Sequence, residues 1–146
     1  MLVDHDGIVD KFVGDEVIGI FIPAMASDHA RDALAAAEHL LVSLKEDAFG
    51  PIPVGVGVNS GVAYVGSVGS GDHSDITAMG DPVNVAARLA SAAGAGEILV
   101  APETIRLLGW DASSLVTREL RLKGKADPIV AVVIRAGEEA VLSGPS

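Results

Sequence analysis

A chain of 146 residues, 49% of them hydrophobic, has the length of one domain and a large core for that length. Twenty acidic residues against ten basic ones give a net charge of -10, which opposes binding to nucleic-acid backbones and anionic lipid; an anionic substrate needs a local positive site or metal ions. With no cysteine there is no disulfide framework and no thiolate chemistry, which suits a reducing compartment and makes the cytoplasm the expected location.

The opening MLVDHDG lacks the basic start and apolar run of a signal peptide. GIVDKFV and VIGIFIP flank Gly14, Asp15 and Glu16, two β-branched and aromatic runs around a turn, so a hairpin is predicted with the acidic pair at its tip and Pro23 ending the second strand. From Ser27 the period changes. Ser27 or Asp28 caps a helix whose apolar stripe is Leu34, Ala37, Leu41 and Leu44, with Arg31, Asp32, Glu38 and Lys45 off that stripe. The segment from Ala48 to Gly71 has no charged side chain, but Pro51, Pro53, Asn59 and seven glycines read as strands and turns and not as a membrane span. Within it, PVGVGVNSGVAYVGSVG predicts a second hairpin turning at Asn59, Ser60 and Gly61.

SDITAMGDPVNVAARLASAAGAGEILV holds a short apolar segment, a helix start at Gly80-Asp81-Pro82, a small-residue helix stopped at Gly94 and Gly96, and a strand from Ile98 to Val100. A short helix follows over Pro102 to Leu108, then strands over Leu115 to Leu122 and Ile129 to Ile134, then a frayed tail. Strands outnumber helices and several are linked as hairpins, so the fold class is α+β with a mostly antiparallel sheet. No internal repeat is visible.

Several motifs fail. GVGVNSG and VGSVGSG lack the glycine spacing and the strand-to-helix context of a dinucleotide fingerprint, and KGKAD lacks the ending of a Walker loop. His5, His29, His39 and His73 have no ligand spacing, and no serine sits in a nucleophile elbow. What remains is KFVGDE and ITAMGDPVNVAARL. Asn84 and Arg88, four apart on a predicted helix, share one face and can act on one ligand. Each has a plain alternative: Arg88 pairs with a nearby acid, Asn84 caps a backbone group, Lys11 snorkels to water from a strand edge, and Asp15 is a turn residue.

Taken in order, GIVDKFVGDEVIGIF, GVGVNSGVAYVGSVGS, DITAMGDPVNVAARL and GEILVAPET resemble the class III adenylate/guanylate cyclase catalytic domain, and the resemblance runs from about Gly7 through RLKGKADPIVAVVIR. It implies a ferredoxin-like nucleotide cyclase fold, with the catalytic domain over 1–135 and a flexible C-terminal tail over 136–146. By resemblance, Asp15 is one of two aspartates that hold two divalent metal ions, Mg2+ or Mn2+, on the nucleotide phosphates. Lys11 contacts the purine, Thr77 occupies the position that pairs with it for base selection, and Asn84 and Arg88 orient the ribose and stabilise the transition state. Threonine at 77 resembles a bacterial subgroup that makes cyclic AMP, so ATP is the expected substrate.

The same resemblance implies a head-to-tail homodimer whose sites are shared, so that Lys11 and Asp15 of one chain serve different active sites. No nucleic acid and no direct membrane contact by this domain are expected. The family's domain opens with a strand carrying Phe-x-Asp, whose aspartate is the other metal ligand, followed by two helices; this sequence opens near the end of the second helix, and nothing in MLVDHDGIVD aligns with that strand. The chain by itself is therefore expected to lack measurable cyclase activity. The alternatives are a guanylate cyclase and a non-catalytic nucleotide-binding or dimerisation module of the same ancestry; the joint presence of Lys11, Asp15, Asn84 and Arg88 favours catalysis.

Overall fold

A computed structural model of the chain describes residues 8–13, 16–21, 28–45, 54–62, 64–68, 75–122, 124 and 126–135. The tail expected over 136–146 and the tip residues Gly14 and Asp15 lie outside them. The elements run β1 (Ile8–Val13), β2 (Glu16–Ile20), α1 (His29–Lys45), β3 (Val56–Val58), β4 (Tyr64–Val68), β5 (Asp75–Met79), α2 (Asp81–Ala92), β6 (Glu97–Val100), α3 (Pro102–Leu108), a 3-10 turn (Ala112–Ser114), β7 (Thr117–Leu120) and β8 (Ile129–Arg135). The architecture is a mixed sheet with flanking helices, as the α+β reading requires.

β1 and β2 form the expected antiparallel hairpin, with Val13 opposite Glu16 and Ile8 opposite Ile20. Its register breaks between Val9 and Phe12, so that Asp10 and Lys11 fall at an irregularity of the ladder. A four-stranded sheet in the order β3-β6-β8-β7 forms the centre. β3 and β6 run parallel, whereas β6–β8 and β7–β8 are antiparallel. β4 pairs antiparallel with β5.

The second hairpin is a correction. Among the described residues β3 pairs with β6, and β4 pairs with β5. The residues after β3 make tertiary bonds in place of a local turn. The Val58 carbonyl accepts from the Ala101 N–H at 2.9 Å, the Asn59 amide donates to the Pro82 carbonyl at 3.0 Å, and the Ser60 and Thr104 hydroxyls lie 2.8 Å apart. These partners come from 23 and 44 residues away, beyond the reach of turn chemistry.

β6 supplies the centre of the core: all four of its residues are buried, and its side chains alternate between faces. Ile98 and Val100 join Val132 and Ile134 of β8, Ile105 of α3 and Leu34, Ala37 and Leu41 of α1 on one face. On the other, Leu99 and Ala131 meet Val85 and Leu89 of α2 with Leu122. Asp28 caps α1, its Oδ1 accepting from the Arg31 N–H at 3.3 Å. Glu38, read as lying off the apolar stripe, is buried. It stands four residues after Leu34 and three before Leu41, which places it on the packed face. β7 is shorter than the run from Leu115 to Leu122; ahead of that run Asp111 accepts from the Ser113 N–H at 3.0 Å and caps the 3-10 turn.

α2 sits on β3 with almost no side chain between them. A Cβ added at Gly57 would lie 2.3 Å from the Ala86 carbonyl oxygen, 2.5 Å from the Ala90 nitrogen and 2.7 Å from the Leu89 Cβ, and one at Gly55 would lie 2.8 Å from Ala93. Small residues in α2 complete this approach. At the far end of the helix, buried Glu97 accepts from Arg118 at 3.0 and 2.9 Å and from the Gly94 N–H at 2.7 Å, and it pairs with Arg135 at 3.2 Å. This cluster joins the α2 exit to β6, β7 and β8.

Gly57→Ala is expected to lower stability by about 1–3 kcal/mol, since the clash falls on helix backbone that cannot rotate away; thermal denaturation measures it. The Arg118 hydrogen bonds, helped by the Gly94 N–H, hold the Glu97 carboxyl down at about 2 against an ordinary 4.5. A carboxyl whose value is lowered by folding stabilises fully above its unfolded value, so this contribution is present above pH 4.5 and is lost as the pH falls toward 2. Glu97→Gln should cost about 1.5–3 kcal/mol at pH 7 and flatten that part of the acid limb in urea titrations at stepped pH.

Candidate functional site

The described candidate residues lie on β1, β5 and α2, and β5 adjoins the other two. β1 lies alongside β5, and β5 runs through Gly80 directly into α2, against which it also packs. Lys11 is on β1 at the break in its register. Thr77 is on β5, opposite Gly66 of β4. The fold thus places the strand carrying Thr77 against both the strand carrying Lys11 and the helix carrying Asn84 and Arg88. Asp15 lies outside the described residues.

The start of α2 is fixed by backbone chemistry. Gly80 takes φ of 128°, a conformation other residues rarely adopt, and its carbonyl accepts from the Val83 and Asn84 N–H groups at 3.2 and 3.3 Å. Pro82 sits in the first turn, where its missing N–H costs nothing. The Asn59 amide bonds the Pro82 carbonyl from outside, and a Cβ at Gly61 would lie 2.7 Å from the Pro82 Cγ. Buried Val85 and Leu89 turn the opposite face of the helix inward.

Asn84 is exposed and Arg88, one turn on, is half-buried. Arg88 makes no ion pair with a described carboxylate; the described ion pairs are those of Arg31, Arg106, Arg118 and Arg135. The reading in which it merely neutralises a neighbouring acid therefore has no support among the described residues. What meets its guanidinium is Gly124, in the connection between β7 and β8: a Cβ there would lie 3.1 Å from Nη1. Gly124 is flanked in sequence by Lys123 and Lys125 in an otherwise acidic chain.

Two surface cavities, of about 400 and 580 Å3, are lined by neither Asn84 nor Arg88. The larger is bordered by Asp81, Glu103 and Asp127, an acidic rim that repels phosphate. Asn84 is exposed and Arg88 half-buried, outside both of these cavities. Among the described residues no group of three or more histidine, cysteine or carboxylate side chains is gathered to hold a metal ion, so they do not by themselves form a divalent-metal site. Nor is any helix of the described residues long and apolar enough to cross a membrane.

Sequence reasoning missed three features. Asn59 was assigned to a turn, and its role in holding α2 shows only once β3 and α2 are adjacent. Gly124 carried one usable signal, the pairing of lysines around a glycine in a chain poor in cations. The cluster of Glu97, Arg118 and Arg135 depends on strand pairing, which no local pattern encodes.

The sequence profile of the adenylate and guanylate cyclase catalytic domain matches residues 12–135. A terminal-differentiation-specific adenylate cyclase of Dictyostelium discoideum is 29% identical over 147 residues, covering 94% of this chain and 7% of its own length. The crystal structure of the guanylyl cyclase Cya2 superposes with a TM-score of 0.80 at 28% identity, covering 94% of this chain and 75% of that one. The adenylyl cyclase CyaB from P. aeruginosa gives 0.64 at 27% identity, covering 94% and 76%. The chain thus spans a small part of the curated relative and about three quarters of each solved structure. The profile covers most of the chain and the same fold recurs in both solved cyclases, so this chain belongs to the adenylate and guanylate cyclase catalytic-domain family.

Proposed function

We propose that the chain is an adenylate cyclase catalytic domain that converts ATP to 3',5'-cyclic AMP and pyrophosphate. The observation that carries the reading is Arg88: half-buried, paired with no described carboxylate, and one helical turn from exposed Asn84. A guanidinium held out of bulk water without a counter-ion is suited to a ligand that brings its own negative charge. In the reaction the ribose 3'-oxygen attacks the α-phosphorus, the new P–O bond closes the ring, and the bond to the pyrophosphate oxygen breaks. Arg88 stabilises the charge that grows on the phosphoryl oxygens. Asn84, a donor and acceptor on the same face, orients the ribose.

Lys11 and Thr77 are the proposed base readers, and the adjacency of β1 and β5 supports their acting together. The relatives include adenylyl and guanylyl cyclases, so the choice of adenine rests on threonine at position 77. Two divalent ions, Mg2+ or Mn2+, are proposed as cofactors on family grounds, with Asp15 as this chain's ligand. The roles given to Asn84, Arg88, Lys11 and Thr77 do not run through them.

A head-to-tail homodimer is proposed for the assembly. Lys11 and Asp15 are four residues apart in sequence, too close to serve opposite ends of one nucleotide, and exposed Asn84 and half-buried Arg88 lie outside the two cavities described. Both features fit a site completed by a second copy.

In the chain extended at its N-terminus by the family's Phe-x-Asp strand and two helices, Arg88→Ala and Asn84→Ala should each lower kcat on the order of 100-fold or more with little change in melting temperature, because neither side chain belongs to the core. In the same assay, with manganese supplied, ATP should turn over faster than GTP; the reverse would make the protein a guanylate cyclase. For the dimer, an Asp15→Ala chain mixed with an Arg88→Ala chain, each carrying that N-terminal segment, should recover activity through one intact site. Absence of recovery in a verified heterodimer would overturn the shared-site arrangement.

A further inference from the structure

Gly124 meets two separate demands. Its φ is +86°, in the left-handed region where a Cβ is strained. Independently, the space a Cβ would take is filled by the end of Arg88: the added atom would lie 3.1 Å from Nη1, 3.6 Å from Nη2 and 3.7 Å from Cζ. All three contacts are to the guanidinium, so the group lies against the bare backbone of the loop between β7 and β8. Gly109 offers a contrast within the same chain. It has φ of +73° at the end of α3, yet a Cβ there would meet nothing within 4 Å.

We infer that Gly124 is a positioning residue: the side chain it lacks leaves the seat in which the Arg88 guanidinium is held. The inference rests on the reading of Arg88 as the group that meets the nucleotide phosphates. α2 fixes the root of Arg88 through its packing on β3, but a long side chain retains several torsions beyond its Cβ. The Gly124 backbone removes part of that freedom at the far end. A Cβ at 124 would press on Nη1 and move the guanidinium by a few tenths of an ångström, and a longer side chain by more, which lowers the rate when the group must meet a developing charge.

The test compares Gly124→Ala, Gly124→Asn and Gly109→Ala. Asparagine tolerates a left-handed backbone, so it relieves the strain while keeping the crowding, whereas Gly109→Ala has the strain without the crowding. Melting temperature should fall alike in the two alanine variants. In the N-terminally extended chain, ATP turnover with manganese should fall on the order of 3–10-fold in kcat, with a smaller change in KM, in both Gly124 variants but not in Gly109→Ala. The loss should disappear in an Arg88→Ala background. Independently of activity, the 15N-detected Nε–H resonance of Arg88, assigned by its loss in Arg88→Lys, should shift in the Gly124 variants alone.

If kcat in both Gly124 variants stays within about twofold of the unsubstituted chain, or falls by an equal factor in the Arg88→Ala background, the inference is overturned. If the unsubstituted chain, extended at its N-terminus by the family's Phe-x-Asp strand and two helices, forms no cyclic nucleotide, the proposed function fails. The seat is then judged by the resonance, which supports it by shifting and overturns it by staying in place.

Discussion

The close approach of α2 to β3 is the constraint on which the rest of the structure depends. Two glycines on β3, Gly55 and Gly57, remove the side chains that would hold helix and strand apart, and Ala86, Ala90 and Ala93 do the same from the helix. An ordinary helix-to-sheet contact keeps a layer of side chains between backbones. Here the helix is laid on the strand, and its rotation is fixed because Val85 and Leu89 must reach the lower core while Asn84 and Arg88 face away. A site built on such a helix inherits its precision from backbone packing.

Both ends of that helix are held by polar contacts from distant sequence. At its start the Asn59 amide reaches the Pro82 carbonyl; past its end the Glu97 carboxylate takes the Gly94 N–H and two arginines. Glu97 is buried, and a buried carboxylate is tolerated only when its lone pairs are satisfied, which the bidentate Arg118 contact and the backbone N–H accomplish. The same contacts cross three strands of the central sheet. A single side chain therefore couples the helix exit to sheet register.

The chain's acidity acquires a local meaning in this frame. With a net charge of -10 the molecule repels nucleotides at long range, and its larger cavity is rimmed by carboxylates. Arg88 and the lysine-flanked Gly124 form a basic exception brought together from separate parts of the sequence.

The sequence by itself determined the elements and the family. Periodicity located α1 and α2, Pro and Gly marked the limits of α3, and β-branched runs located the strands of the first hairpin and of β8, because these signals act within a few residues of one another. The spacing of Asn84 and Arg88 was legible for the same reason: a helix converts a sequence interval into a shared face. Only the tertiary structure decided the pairing of β3 with β6 in place of a hairpin to β4, since tertiary hydrogen bonds to Pro82, Ala101 and Thr104 replace a local turn. It alone decided that Glu38 is buried, that Glu97 meets Arg118 and Arg135, and that Gly124 lies against Arg88. Each of these is a contact between segments whose separation in the chain carries no local pattern; it exists only once the sheet has set which strands are neighbours.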